Sequence, residues 1–289
     1  MIIWGPLLPV PCQLVLSIEV FSPGRTTRQD KIGEIKRLME KTKLSVCIIT
    51  YNEENNLGGC IESFVGLSDE IIIMDSMSTD RTERIANRYN ARFAVHPFDD
   101  FGKQKQRAID LATHSWILLI DADERLSEEL YRELTDLLKD RNRLELKDAY
   151  RVNRLNFFMG KPIRHGGWSP DYLVRLFRKG SAHLSNNLVH ESVLPAGKIG
   201  SLDHLLFHYT YLTLDSFIEK NARYAKLSAQ EKKLRGTKPG FFKVIFDPPF
   251  VFVKMFFLQQ GFRDGKEGFF LAILYGYYTA LKYIWLFYL

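Results

Sequence analysis

The sequence predicts an α/β protein, a mostly parallel sheet with helices on both faces, followed by an apolar helical extension. Three observations carry this reading. Short apolar runs at 44–50, 70–74, 92–95 and 116–120 alternate with helical stretches at 53–65, 79–89 and 102–112, and such alternation implies parallel pairing with right-handed crossovers. Polar residues follow three of the runs: Thr50-Tyr51-Asn52-Glu53, Asp75-Ser76 and Asp121-Ala122-Asp123. In sheets of this kind ligands bind beyond the carboxyl ends of the strands. The last third of the chain then turns aromatic and apolar.

The first run, LSVCIIT, is β-branched and leads into a helix with Leu57, Cys60, Ile61 and Phe64 at core spacing. The second, EIIIM, ends at Asp75. Ser78, Thr79 and Asp80 are good caps for the next helix, which turns Ile85, Ala86 and Tyr89 inward. The third helix opens with Phe101-Gly102-Lys103-Gln104-Lys105-Gln106-Arg107. Cations at a helix N-terminus oppose its dipole, yet they suit a docked anion, because ammonium and backbone N–H groups converge on it. A solvated basic face is the competing reading.

The fourth run, WILLIDADE, ends in two carboxylates one residue apart. Asp121 and Asp123 share a face if the strand persists, and they can converge on one ion if the chain turns. Two buried like charges are costly unless compensated. A hard divalent cation bridging to phosphate oxygens compensates them. In the alternative, Asp121 ends the strand and Asp123 begins the next helix. Ser127 caps that helix, with Glu128 and Glu129 in its first turn and Leu126, Leu130, Leu134 and Leu137 along one side.

Composition narrows the class. The 289 residues carry a formal charge of +6, which suits an acidic substrate or an anionic surface without implying nucleic-acid binding. A nucleic-acid binder would interleave its aromatics with cations on one surface, whereas here they gather in the apolar tail. Cys12, Cys47 and Cys60 lack metal-ligand spacing and fit a reduced, cytoplasmic setting. No G-x-G-x-x-G follows the first strand and no G-x-x-x-x-G-K-[ST] occurs, which speaks against a dehydrogenase-type dinucleotide site and excludes a P-loop. Residues 1–42 read as an extension, broken by Pro6, Pro9 and Pro11, with Met39 the expected natural start. An intact mass that includes residues 1–38 in the native protein would refute that start.

Taken together, TYNEENNLGGCIES, DEIIIMDSMSTDRT, FGKQKQRAID and WILLIDADE resemble the family 2 glycosyltransferases of GT-A fold, most closely the lipopolysaccharide-core β-glucosyltransferase-like subgroup. The resemblance extends through RVNRLNFFMGKPIRHGGW, YLVRLFRK, LVHESV and HLLFHYTY, roughly residues 43–231. It implies transfer of a sugar, with inversion, from a nucleotide-diphosphate donor resembling UDP-glucose to a lipopolysaccharide-core or other lipid-linked glycan. On that resemblance Thr50, Tyr51, Asn52 and Glu53 would border the nucleoside, Asp75 would bond the base, and Ser78 and Asp80 would shape its loop. Lys103 and Gln104 would approach the diphosphate or donor sugar; Gln106 stands where the family often has Asn. Asp121 and Asp123 would form the D-x-D motif holding the ribose and a Mg²⁺ or Mn²⁺ ion. Glu191 in LVHES is the expected general base, with Asp171 in GGWSPD as the alternative. His190, His204 and His208 match no zinc spacing, although His190 and His208 could reach the diphosphate or metal. Trp168 could stack on an acceptor sugar or fill a core.

Residues 215–234 read as a polar surface helix. Residues 240–260 are aromatic-rich, with Pro248-Pro249 expected to break any single helix. Residues 268–289 are long and apolar enough to span a bilayer, but their tyrosines, with Lys243, Lys254, Arg263 and Lys266 nearby, better suit helices lying in the interface. The expected layout is thus a catalytic domain at 43–235 and a membrane-associating segment at 236–289, peripheral to the inner membrane. Two other readings are a sugar-nucleotide pyrophosphorylase, disfavoured by the missing G-x-G-T-R-like loop, and a non-catalytic membrane-associated nucleotide-binding scaffold.

Overall fold

A computed structural model describes residues 41–185, 192–211, 213–238 and 240–289. Strands β1 (Leu44–Thr50), β2 (Glu70–Asp75), β3 (Arg92–Val95) and β4 (Trp116–Asp121) alternate with helices α1 (Leu57–Glu62), α2 (Thr82–Arg88) and α3 (Phe101–Leu111). This is the alternation read from the sequence, with α1 shorter because the chain enters it through a turn at residues 54–56. After β4 come β5 (Glu124–Leu126), α4 (Glu128–Lys139), α5 (Arg141–Glu145), β6 (Ala149–Phe158), β7 (Lys161–Pro162), β8 (Tyr172–Arg178), β9 (Ala182–Leu184), β10 (Val193–Pro195) and β11 (Ile199–Tyr211).

The main sheet runs β3-β2-β1-β4-β8-β6-β11-β5, with β7 beside β6. Its first four strands are parallel, and β8 then pairs antiparallel with both β4 and β6. The sheet is therefore mixed, with a GT-A-like architecture. Because side chains alternate along a strand, the parallel half has two cores. Val46, Ile48, Ile73, Leu118 and Ile120 pack with α1, α2 and α4 on one face. Cys47, Ile72, Ile117 and Leu119 pack with α3 on the other.

Helix α6 (Leu214–Leu234) follows β11 and is capped by Thr213. Helices α7 (Phe241–Val253) and α8 (Gly265–Tyr288) are joined through a π-helical turn at Lys254–Leu258 and a 3₁₀ turn at Gly261–Asp264. Pro248 and Pro249 lie inside α7 without ending it, which corrects the expected break. Proline's φ suits a helix and its penalty is a lost N–H bond and a carbonyl clash. Packing on α8 offsets that penalty, where Gly276 admits the Pro248 carbonyl so closely that a Cβ would lie 3.1 Å from it. At the turn, the Asp264 carboxylate accepts from the backbone N–H of His165 at 2.8 Å. Leu271 of α8 joins Phe158, Ile163, Tyr211 and Phe217 in a further core. Trp168 packs there against Tyr211 and Tyr275, the core-filling alternative for that residue.

Candidate active site

Strand register brings the three polar strand ends together. Thr50 pairs with Asp75 across β1 and β2, and Ile49 with Asp121 across β1 and β4. Beyond them opens a cavity of about 470 Å³ lined by Thr50, Tyr51, Glu53, Asp121, Asp123 and Asp171 among others. Five cationic residues face the same space: Lys105, Arg154, Arg175, Lys220 and Arg223.

Asp121 and Asp123 have different partners. Asp121 Oδ1 lies 2.8 Å from the Lys105 ammonium and Oδ2 lies 2.7 Å from Arg175 Nη2. Burial raises the Asp121 pKa, but Lys105 and Arg175 outweigh it and hold the carboxyl well below its usual range. Arg175 also meets Glu124, which is fully buried. Arg154 bridges Glu124, at 3.1 Å, and Asp171 Oδ2, at 2.8 Å. The result is an alternating ladder, Lys105–Asp121–Arg175–Glu124–Arg154–Asp171, from α3 across β4, β8, β5 and β6. Each buried charge has an opposite neighbour, as low-polarity surroundings require.

Asp123 leaves the ladder. Its Oδ2 lies 3.3 Å from His208 Nε2 and 3.7 Å from the Lys220 ammonium. Burial favours the protonated acid, yet His208 and Lys220 hold its pKa below the ordinary value. Burial would lower the pKa of Lys220, but Asp123 reverses the sign. The second ring nitrogen, His208 Nδ1, faces Asn156 Oδ1 at 2.6 Å. Asn156 is oriented by its own amide N–H bonds to Asp171 Oδ2 and the Trp168 carbonyl, both at 3.3 Å. His208 Nδ1 is therefore the donor. His208 Nε2, the other ring nitrogen, is thereby directed at the Asp123 carboxylate.

The remaining sequence candidates divide by position. Asn52 takes a left-handed turn (φ 53°), which asparagine tolerates better than most residues. Its backbone N–H donates to Ser78 Oγ at 2.8 Å, and its side chain accepts from Thr79 N at 2.8 Å. Asp75 is buried and turned inward, accepting from Thr50 Oγ1 at 2.7 Å and from Ser78 N and Oγ at 2.7 and 2.6 Å. Asp80 accepts from the N–H groups of Glu54 and Thr82. These residues knit the loops after β1 and β2. Glu53 enters the cavity, where burial and then the Asp123 charge push its pKa up to about 7.

On α3 the structure sets Lys103 and Gln104 apart from the cavity. Lys103 is exposed and paired with Asp100 at 3.0 Å, while Gln104 is buried, its amide donating to the Ser76 hydroxyl and the His96 carbonyl. Neither lines the cavity, whereas Lys105 does. The capped N-terminus of α3, with Asp100 accepting from Lys103 N, rotates Lys105 inward. Helix α6 also departs from its surface reading: Lys220, Arg223 and Tyr224 line the cavity. Glu191 and His190 lie outside the described residues; Ser192, next in sequence, lines the cavity. The sequence reading passed over Lys105, Arg154, Arg175 and Lys220. For Arg175 the signal was a cation in the middle of an apolar strand, YLVRLFR.

Acidic and basic side chains thus gather in one cavity at the strand ends of a mixed α/β sheet, the layout of an α/β enzyme. The chain belongs to glycosyltransferase family 2: the model described as "Glycosyl transferase family 2" matches residues 45–194. The chain is 34% identical over 260 residues to the lipopolysaccharide core biosynthesis glycosyltransferase LpsC of Rhizobium meliloti (strain 1021), a match spanning 85% of this chain and 93% of that one. It is 30% identical over 251 residues to the uncharacterized glycosyltransferase RC0292 of Rickettsia conorii, covering 83% and 88%. Among solved structures, S. aureus TarS residues 1–349 in complex with UDP matches with 15% identity, TM-score 0.42 and 65% of each chain. Mycobacterium tuberculosis glucosyl-3-phosphoglycerate synthase, in complex with Mn²⁺, UDP and glucosyl-3-phosphoglycerate, matches with 24% identity and TM-score 0.32, over 48% and 51%.

Proposed function

We propose that this glycosyltransferase moves a sugar, with inversion, from a nucleotide-diphosphate donor resembling UDP-glucose to a lipopolysaccharide-core or other lipid-linked glycan at the cytoplasmic face of the inner membrane. The observation that carries the donor side is the meeting of Asp123, His208 and Lys220 with Lys105 and Arg223 in one cavity. Long identity to LpsC supports the acceptor class.

The residues fit a divalent ion, Mg²⁺ or Mn²⁺. Asp123 and His208 would hold it, since the Nδ1–H bond to Asn156 leaves Nε2 as a ligand atom aimed at Asp123. Asp123 would supply the carboxylate such ions take together with diphosphate oxygens, and His208 would add a nitrogen donor. When bound, the ion neutralises charge on the departing diphosphate. Asp121 would contribute differently, its charge already balanced by Lys105 and Arg175, by accepting from a ribose hydroxyl. Lys220 and Arg223 stabilise the leaving group directly. Thr50, Tyr51 and Glu53 border the nucleoside, on a floor fixed by Asp75, Ser78, Asp80 and Gln104.

Inversion by one displacement requires a base that takes the proton of the acceptor hydroxyl. Glu191, the sequence neighbour of the cavity-lining Ser192, is assigned that role. Asp171 lines the cavity too, but it spends Oδ2 on Arg154 and Asn156, an orienting arrangement. The helices after residue 236 would lie on the membrane; 261–288 is long and apolar enough to cross one, and 33% of its most apolar stretch is buried in the protein.

The test is calorimetry with UDP-, GDP- and dTDP-sugars, with and without Mn²⁺, comparing wild type with Asp123→Ala. Metal-dependent binding of one donor, lost in the variant, is the expected result. Absence of binding by any donor to the folded wild type would overturn the reading.

A further inference from the structure

The carboxyl-terminal helices carry a lysine cluster that the transfer chemistry does not use. Tyr283 of α8 is buried and has three ammonium groups about its ring: Lys282 at 5.1 Å, and Lys232 of α6 and Lys243 of α7 at 5.9 Å each. Lys226 of α6 stands 4.9 Å over Trp285. Three helices thus bring Lys232, Lys243 and Lys282 about one ring, with Lys226 over a second ring two residues further along α8. Of the nearby acids, Asp247 bonds the Tyr283 hydroxyl and Glu231 is held by Arg235. Burial and then Lys232 lower the Lys282 pKa against the pull of Asp247. Crowded like charges of this kind are relieved by an anion.

The second observation is apolar. Helix α7 buries none of its residues, and Phe242 and Phe246, which flank Lys243 along it, are 74% and 62% exposed. Phe250, Phe257 and Leu258 continue the exposed series, and Phe287 and Tyr288 add to it beyond Tyr283 on α8. Contiguous apolar exposure of this extent marks an interaction surface. Aromatics interleaved with lysines match the composition of helices lying at a lipid headgroup boundary.

We propose that the Lys232, Lys243 and Lys282 cluster is a phosphate-headgroup site through which the exposed aromatic face of α7 and α8 docks on an anionic phospholipid surface. This rests on the peripheral membrane reading above and adds the lipid class and the residues that select it. Helix α6 links the surface to the chemistry. From Lys220 in the cavity to Lys232 in the cluster is about 18 Å along the helix, so an acceptor anchored in the same leaflet reaches the donor site with its outer sugars.

Vesicle flotation of the full chain tests this, with phosphatidylcholine alone against phosphatidylcholine mixed with phosphatidylglycerol. Preferential binding to the mixed vesicles is expected, weakened by salt. Lys232→Gln/Lys243→Gln should weaken it roughly 25-fold, at about five-fold per lysine near an anionic surface, with donor binding in solution unchanged as the check on folding. Phe242→Ser/Phe246→Ser should reduce binding to both vesicle types. Equal binding to neutral and anionic vesicles, indifferent to the lysine variant, would overturn the headgroup site while leaving the peripheral reading standing. Binding to neither would overturn both. Full competition by inorganic phosphate would reassign the cluster to a free anion.

Discussion

The two halves of the sheet contribute charge unequally: most of the site's acids come from one and most of its cations from the other, with Lys105 and Asp171 crossing that division. The parallel half, β3-β2-β1-β4, delivers Glu53, Asp121 and Asp123 at its strand ends and in the loops beyond. The half formed by β8, β6 and β11, with α6, delivers Arg175, Arg154, His208 and Lys220. Neither is satisfactory alone: Asp121 is buried against Arg175, and Glu124 is held between Arg175 and Arg154. The acidic residues and the segments that answer them are therefore one unit, although 30 residues separate Arg154 from Glu124 and 54 separate Arg175 from Asp121.

The largest effect expected from breaking this complementarity is on catalysis. Asp123→Ala should lower kcat on the order of 10³-fold, about 4 kcal/mol of transition-state stabilisation, with an unchanged circular dichroism spectrum. A variant that keeps more than a tenth of wild-type kcat would move the chemistry away from this carboxylate. Arg175→Met should act first on stability. It leaves Asp121 and Glu124 buried without their shared cation, which costs about 3–5 kcal/mol. Urea unfolding measures this, and adding Glu124→Gln should recover part of the loss. If the single variant unfolds like wild type, the ladder does not hold the halves together.

The parallel half was legible because its signals are local. LSVCIIT and WILLIDADE each announce a buried strand with polar residues after it, and register does the rest. The second half uses side chains whose role depends on distant partners. Arg175 in an apolar strand and Lys220 on a polar helix show only isolated charges to the eye, and nothing nearby says that Asp121 and Asp123 await them. Lys103 and Lys105 show a finer limit. Both are basic residues of the same helical turn, and only the rotation set by the Asp100 cap and the buried Gln104 decides which enters the cavity. Pro248-Pro249 misled for the related reason that a tertiary contact, the α8 glycine face, outweighs a local penalty.

A smaller effect should appear in the pH dependence of stability. The Glu53 pKa is pushed up to about 7 in the folded protein, above an ordinary glutamate. The folded state therefore binds this proton more tightly than the unfolded chain does. The associated stability is fully present below the unfolded pKa and is lost as pH rises through about 7. In chelator-treated protein Glu53→Gln should match wild type near pH 4.5 and be more stable near pH 8, by roughly 3 kcal/mol. A constant difference between the two proteins across that range would show that burial and the Asp123 charge do not raise the Glu53 pKa.

The two lysines of α3 give the narrowest test. Lys105 reaches Asp121 at 2.8 Å with its side chain 6% exposed, whereas Lys103 pairs with Asp100 at 65% exposure. An exposed pair of the second kind contributes about 0–1 kcal/mol, so Lys103→Met should leave donor KM within about two-fold of wild type, near the size of that term. Lys105→Met removes one of two cations from a buried carboxylate and should raise donor KM by about ten-fold or more, the loss of one charge-assisted contact of about 1.5–3 kcal/mol. The reverse order would return the donor contact to the residue suggested by sequence alone, and would mean that α3 turns about its axis when the donor binds.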